Sequence, residues 1–359
     1  MTQPQPRPEA IALLRKGVAI PASPLALTEG RAHDHRRQRA LYRYYAAAGA
    51  GGIAVGVHTT QFEIRDPKVG LFEPVLRFAS EQFAALEAAH ARVIVRVAGV
   101  CGRTPQALAE ARLARSLGYD AVLLSLAAMK GATVDELIDH CAAVGAQMPL
   151  IGFYLQPAVG GCLLPYDFWR RFAALPSVVA IKMAPFNRYQ TIDVVRGVAD
   201  SGRAGEITLY TGNDDNIIAD LLSPYTFRGD DGTERTLRIR GGLLGQFCVW
   251  TRTAVGMLDE IHALVDSGAP VSMEWLRKNI DLTDANAVVF DAANGFAGCI
   301  PGIHEVLRRQ GLLDNILCLN PHETLSPGQA GELDRVCAAY PWLSDDAFVA
   351  AHLEEWLQD

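Results

Sequence analysis

Ser177-Val178-Val179-Ala180-Ile181-Lys182-Met183-Ala184 is a compact apolar run between Pro176 and Pro185. Proline cannot donate to a sheet ladder, so the run reads as one buried strand, too short for a helix, that ends in a lysine. A lone ammonium at the end of an apolar strand is costly unless it is paired or deprotonated. Desolvation lowers a lysine pKa, and a neutral amine can attack a ketone to form a Schiff base. The alternative is a lysine that snorkels its amine to solvent.

Similar short apolar runs recur at Gly17 to Ser23, Gly52 to Val57, Arg92 to Ala98, Ala121 to Leu126, Pro149 to Tyr154, Glu206 to Thr211 and Arg240 to Leu244. Each has the length of a strand. Helical spacing fills the gaps. Thr104-Pro105 opens one helix, with the threonine as N-cap, and Leu117-Gly118 stops it. Thr133-Val134-Asp135-Glu136 is a capping box ahead of another. Strands alternating with helices give a parallel sheet, and the eight found here suit a closed (β/α)8 TIM barrel. An open doubly wound sheet is the competing architecture, but no nucleotide-binding turn follows the first strand. The barrel is expected over residues 1–270. A hairpin-like insertion at about 223–239 contains an Asp231-Gly232 step and should project from the N-terminal face. Residues 271–359 read as a C-terminal helical extension packed on the barrel.

Composition narrows the function classes. Half of the 359 residues are hydrophobic and the formal net charge is −7, with no basic block, which argues against nucleic acid as a partner. Apolar stretches are broken before membrane-spanning length, and the start Met1-Thr2-Gln3-Pro4-Gln5-Pro6 has no apolar signal core, so a cytoplasmic protein is expected, with no membrane partner. The 7 cysteines are scattered and show no CxxC spacing, so neither a disulfide framework nor a zinc site is expected.

The C-terminal ends of barrel strands face the active site. Those ends carry Gly56-Val57-His58-Thr59-Thr60-Gln61, Ser125-Leu126-Ala127-Ala128-Met129, Phe153-Tyr154-Leu155-Gln156-Pro157, Lys182, and Tyr210-Thr211-Gly212-Asn213-Asp214. A tyrosine beside a Schiff-base lysine can shuttle protons, and adjacent threonines can hold a carboxylate. Asn213 and Asp214 read as caps of the following helix, and Tyr42, Tyr44 and Tyr45 as packing or interface residues.

Over roughly residues 17–300 the chain resembles the dihydrodipicolinate synthase / N-acetylneuraminate lyase family of class I aldolases. Tyr154-Leu155-Gln156-Pro157 is similar to the family's Y-N-V-P, Ala180-Ile181-Lys182-Met183 to its G-I-K segment, and Tyr210-Thr211-Gly212-Asn213-Asp214 to its Y-S/T-G-x-D. Gly241-Gly242-Leu243-Leu244-Gly245-Gln246-Phe247 is similar to its eighth-strand segment, which makes Leu243 a candidate substrate contact. The resemblance implies Lys182 as nucleophile, Tyr154 as proton carrier, Thr60 as a further catalytic residue, and Thr59 and Thr60 as carboxylate contacts. It implies a 2-oxo acid such as pyruvate and an aldehyde as substrates, no cofactor and no metal, and a homodimer or homotetramer.

The departures matter as much. The threonine pair is not followed by the family's glycine and glutamate, but His58 precedes it and could serve as an acid/base. The alternative for His58 is a bond to a loop carbonyl. Leu126-Ala127-Ala128-Met129 replaces the synthases' P-Y-Y segment, which leaves the three-residue proton relay incomplete. Val159 stands where the synthases carry an arginine for the aldehyde substrate's carboxylate. Leu126, Met129, Leu155 and Val159 thus suggest an apolar rim. The expectation is a Schiff-base aldolase or lyase that is not a true dihydrodipicolinate synthase. The alternatives are a 2-oxo acid dehydratase or hydratase, or a barrel that binds a 2-oxo acid without turnover.

Overall fold

The computed structural model describes residues 6–229 and 232–358. Its strands are β1 (Ala19–Pro21), β2 (Gly52–Val55), β3 (Val95–Val100), β4 (Ala121–Leu124), β5 (Leu150–Leu155), β6 (Val178–Ala184), β7 (Thr208–Thr211), β8 (Pro224–Arg228) and β9 (Glu234–Leu244). All but β8 are parallel to their neighbours, in the order β1-β9-β7-β6-β5-β4-β3-β2. A parallel bridge between Ala22 and Ala54 brings β1 back beside β2. The sheet therefore curls into the eight-stranded (β/α)8 barrel, its strands apolar on both faces because helices cover the outside.

The strand candidates are all present, with shifted ends. β3 runs on to Val100, beyond the expected Ala98, because Gly99 has no side chain: a Cβ there would stand 2.2 Å from the Gly56 carbonyl oxygen. β9 starts at Glu234 and not at Arg240. Its first half pairs antiparallel with β8, from Pro224 opposite Arg238 to Arg228 opposite Glu234, and forms the expected hairpin ahead of the barrel segment. Asp230 and Asp231 lie outside the described residues.

Two local expectations differ in detail. The capping box at Thr133 and Glu136 forms in both directions. Thr104, by contrast, is the first residue of its helix rather than its cap, and its hydroxyl bonds the His140 Nδ1 at 2.8 Å. A helix not foreseen in the sequence, Pro8–Lys16, plugs the N-terminal end of the barrel. Tyr210, pointing down the barrel, donates its hydroxyl to the Leu14 carbonyl at 2.7 Å, and Arg7 ties the helix to Asp120 and Glu87.

Beyond the barrel lie helices Met273–Val289, Cys299–Arg309, Gln329–Ala339 and Asp346–Trp356. The last packs on helix His35–Ala48, where Tyr42, Tyr44 and Tyr45 are fully buried. Asp345 fixes the contact by accepting from the Tyr44 hydroxyl at 2.7 Å and the Arg252 N–H at 2.9 Å. Among the described residues no helix is long and apolar enough to cross a membrane.

Candidate active site

Lys182 lies at the C-terminal end of β6 and is nine-tenths buried, its relative exposure being 9%. In register it is paired with Phe153 on one side and Tyr210 on the other, so all three side chains point into the barrel. Its Nζ sits 4.5 Å from the centre of the Phe153 ring. No ion pair holds the amine among the described residues. Burial lowers its pKa from 10.5 to about 8, and the Asp214 carboxylate opposes that shift through space. The stem of Lys182 crosses the backbone of Gly212, where a Cβ would meet its Cε at 2.5 Å. That close approach is why a glycine follows β7.

The amine opens into a cavity of about 650 Å³, mouth included. One side is formed by the loop after β2, with Val57, His58 and Thr59. Arg65 pins this loop, donating to the carbonyls of Gly56 at 3.0 Å and Gly99 at 2.9 Å and pairing with Glu110 at 3.0 Å. The Thr59 hydroxyl donates to the Ala22 carbonyl. The Thr60 hydroxyl accepts from the Gly56 N–H at 3.0 Å and donates to the Ser23 carbonyl at 2.8 Å. Both hydroxyls therefore lace the loop to the end of β1. Thr59 still borders the cavity; Thr60 does not.

The opposite wall carries Phe153, Leu155, Gln156 and Val159 from the end of β5. Tyr154 lies between two inward residues and points outward, as the period of two requires. Its ring packs 5.3 Å from Trp169 on helix Tyr166–Ala173, and its hydroxyl accepts from the Leu164 N–H at 3.3 Å. The expected proton carrier is thus outside the cavity, and a phenylalanine faces the amine in its place. Leu243 is likewise buried away from the cavity, and Leu126 and Met129 do not border it. Of the residues read from the sequence, Lys182, His58, Thr59, Leu155 and Val159 come together.

Sequence reading missed Asp214 and a set of aromatic walls. Asp214 does not cap the next helix, whose cap position is Asn216; it borders the cavity. Its Oδ1 is buried without a hydrogen-bond partner. Burial raises its carboxyl well above the usual range, and Lys182 and the Gln246 N–H pull it back. Asn213 is no cap either: it accepts from the Phe186 N–H and donates to Thr191 and Asp220. Burial and the nearby Lys182 ammonium push His58 below its ordinary pKa, so its half-buried imidazole is neutral at pH 7. No loop carbonyl or other hydrogen-bond partner holds it among the described residues. Phe186, from the turn after β6, and Phe290, Phe296 and Cys299, from the C-terminal region, complete the mouth.

Among the described residues no arginine borders this cavity. Arg188 is committed to Asp220 and Tyr225, and Arg252 lies over the Phe348 ring. The arrangement presents a buried amine of lowered basicity, one carboxyl of raised pKa and one neutral imidazole inside apolar walls.

No family model matches the chain. The 4-hydroxy-tetrahydrodipicolinate synthase of Halorhodospira halophila is 26% identical over 211 residues, which cover 58% of this chain and 66%, just under two thirds, of that protein. The dihydrodipicolinate synthase of Aquifex aeolicus superposes with a TM-score of 0.70 at 19% identity, covering 92% of this chain and 99% of that one. YagE, an E. coli K12 prophage protein of the dihydrodipicolinic acid synthase family solved with pyruvate, gives a TM-score of 0.70 at 15% identity, covering 91% and 99%. The order of strands, the lysine at the end of β6 and these likenesses together identify the fold of the dihydrodipicolinate synthase / N-acetylneuraminate lyase family.

Proposed function

We propose that the protein is a Schiff-base-forming lyase of the class I aldolase type that takes pyruvate or another 2-oxo acid. The observation that carries this reading is Lys182: a buried amine of lowered pKa, directed into a cavity at the C-terminal end of the barrel. The fold likeness to a protein solved with pyruvate supports it. The Lys182 amine attacks the ketone carbon, and loss of water from the carbinolamine gives an iminium. The iminium then withdraws electrons from C3, which permits carbon–carbon bond cleavage or formation. These steps need a proton carrier beside the amine. With Tyr154 turned outward, Asp214 is assigned that role and His58 assists it, since a carboxyl of raised pKa can both give and take a proton near neutrality. Thr59 borders the space for the 2-oxo acid carboxylate.

Val159 and the absence of a cavity arginine support a reaction other than dihydrodipicolinate synthesis. One observation favours the non-catalytic reading: Phe153, with no hydroxyl, faces the amine. Reductive trapping with pyruvate followed by a panel of aldehyde acceptors separates these. Trapping with turnover supports the enzyme, trapping without turnover supports an imine-forming binder, and no trapping defeats the imine chemistry.

The proposal includes a cytoplasmic, cofactor-free homo-oligomer. Met273, Leu276 and Ile280 support assembly, because they form an exposed apolar stripe along one helix face that a second copy would cover. Light scattering at assay concentration tests this, and a monomer contradicts it.

A further inference from the structure

A second space adjoins the cavity that holds Lys182. Phe186, Asp214, Phe290 and Phe296 border both, and Asp215, Thr283 and Asn286 line the rest of the second space. The three phenylalanines therefore stand between the amine and a space leading away from it. Phe186 and Phe296 meet edge to face, their ring centres 5.8 Å apart. No arginine, and no lysine but Lys182, borders either space among the described residues.

The backbone carrying these rings is unusual. Phe186, Asp291 and Phe296 all hold left-handed conformations, with φ of +49°, +56° and +69°. Side chains other than glycine adopt that region at a cost, and such residues persist where their surroundings over-determine them. Here the surroundings do so. The Phe186 N–H donates to the Asn213 Oδ1 at 3.1 Å. Asp291 accepts from the Gly298 N–H at 2.8 Å and the Ser326 hydroxyl at 2.6 Å, and its carbonyl accepts from the Phe296 N–H at 2.9 Å. The rings are thus set in place before any ligand arrives.

Building on the imine-forming role of Lys182, we propose that the second substrate is an aldehyde bearing a flat, uncharged aromatic group. Phe186, Phe290 and Phe296 seat that group and determine specificity. In the forward direction C3 of the enamine formed from pyruvate and Lys182 bonds to the aldehyde carbon. The aldehyde oxygen takes a proton, and water hydrolyses the product iminium to free the amine. No oxidant or reductant enters. A well-placed ring–ring contact is worth roughly 2- to 10-fold in affinity, so losing one ring is measurable.

The test uses the full chain, its Phe296→Ala and Phe186→Ala variants, and two readouts. The first is kcat/KM with pyruvate for benzaldehyde against glyceraldehyde. The expected result is a preference for benzaldehyde of about 10-fold or more, which Phe296→Ala erodes by raising KM for benzaldehyde more than for glyceraldehyde. The second, independent of imine chemistry, is the affinity for benzyl alcohol by ligand-observed NMR, expected to weaken several-fold in both variants. Equal or reversed aldehyde preference, or benzyl alcohol binding that is absent or indifferent to both substitutions, overturns the aromatic seat. Failure of trapping together with ring-dependent benzyl alcohol binding defeats the imine reading and leaves the seat standing.

Discussion

Replacing Gly212 with alanine should silence Lys182 and leave the barrel folded. Gly212 follows β7, and its N–H donates to the Met183 carbonyl at 2.7 Å. A Cβ at this position would stand 2.5 Å from the Lys182 Cε, 3.1 Å from its Cγ and 3.0 Å from the Ala184 Cβ. Carbon atoms pack at about 3.5–4.0 Å, so the lysine stem must move by roughly 1 Å. The backbone at Gly212 is not left-handed, so alanine itself fits there. Because the obstructed group is a flexible stem, the overpacking should cost only about 1–3 kcal/mol of stability. The reacting amine, however, loses its alignment, and a misplacement of about 1 Å can cost on the order of 100-fold in rate. The assay is the rate of cyanoborohydride trapping with pyruvate, read by intact mass, beside a thermal melt. A drop of about 100-fold in a folded protein is expected. Trapping at the wild-type rate in folded Gly212→Ala would refute the reasoning, since Lys182 would then not act from the position described.

Further expectations follow from the same geometry. Lys182→Met should stabilise the protein at pH 7 by about 1–3 kcal/mol: the lysine pKa falls from 10.5 unfolded to about 8 folded, so the unfolded chain binds the proton more tightly. Stability from this group therefore declines as pH drops from about 10.5 to about 8, and urea midpoints of variant and wild type should converge near pH 10.5; a variant less stable at pH 7 contradicts the cost of burial. Asp214→Asn should slow imine formation by about 10²–10⁴-fold, and an unchanged single-turnover rate removes Asp214 as the proton carrier. Tyr154→Phe should leave that rate unchanged and cost at most about 1 kcal/mol in a denaturant melt, because its hydroxyl only accepts from Leu164; a large loss of rate would place the phenol in the reaction after all. Condensation of pyruvate with aspartate semialdehyde should be negligible in a coupled assay, and robust turnover would mean that some cation reaches the cavity.

The barrel was legible because its evidence is local and periodic. Short apolar runs with caps between them, such as the box at Thr133 and Glu136, need no tertiary information. Lys182 was legible for the same reason, as a charge ending an apolar strand. Tyr154 shows where that reasoning fails. In a strand a shift of one residue exchanges the faces, and the pairing of Lys182 with Phe153, not Tyr154, is a fact of register between β5 and β6. A clue was present in Gly152: outward Gly152 leaves room for Phe172 and Trp169, and Tyr154 shares its face. Asp214 was misjudged because an acidic residue before a helix suggests a cap, and only the fold shows it bordering the amine's cavity. Phe290 and Phe296 could not be placed at all, since they reach the mouth from a region more than 100 residues beyond Lys182 in the sequence. The helix Pro8–Lys16 escaped notice because its role, plugging the barrel, depends on Tyr210 and Asp120 far along the chain.

A crystal structure of the protein soaked with pyruvate would show whether Lys182 forms an imine with a 2-oxo acid. Continuous density is expected between the Lys182 Nζ and C2 of the substrate, with the carboxylate toward Thr59 and the methyl group toward the aromatic walls. Pyruvate bound without that bond at a pH where the amine is neutral, bound elsewhere, or joined to a different lysine would contradict it.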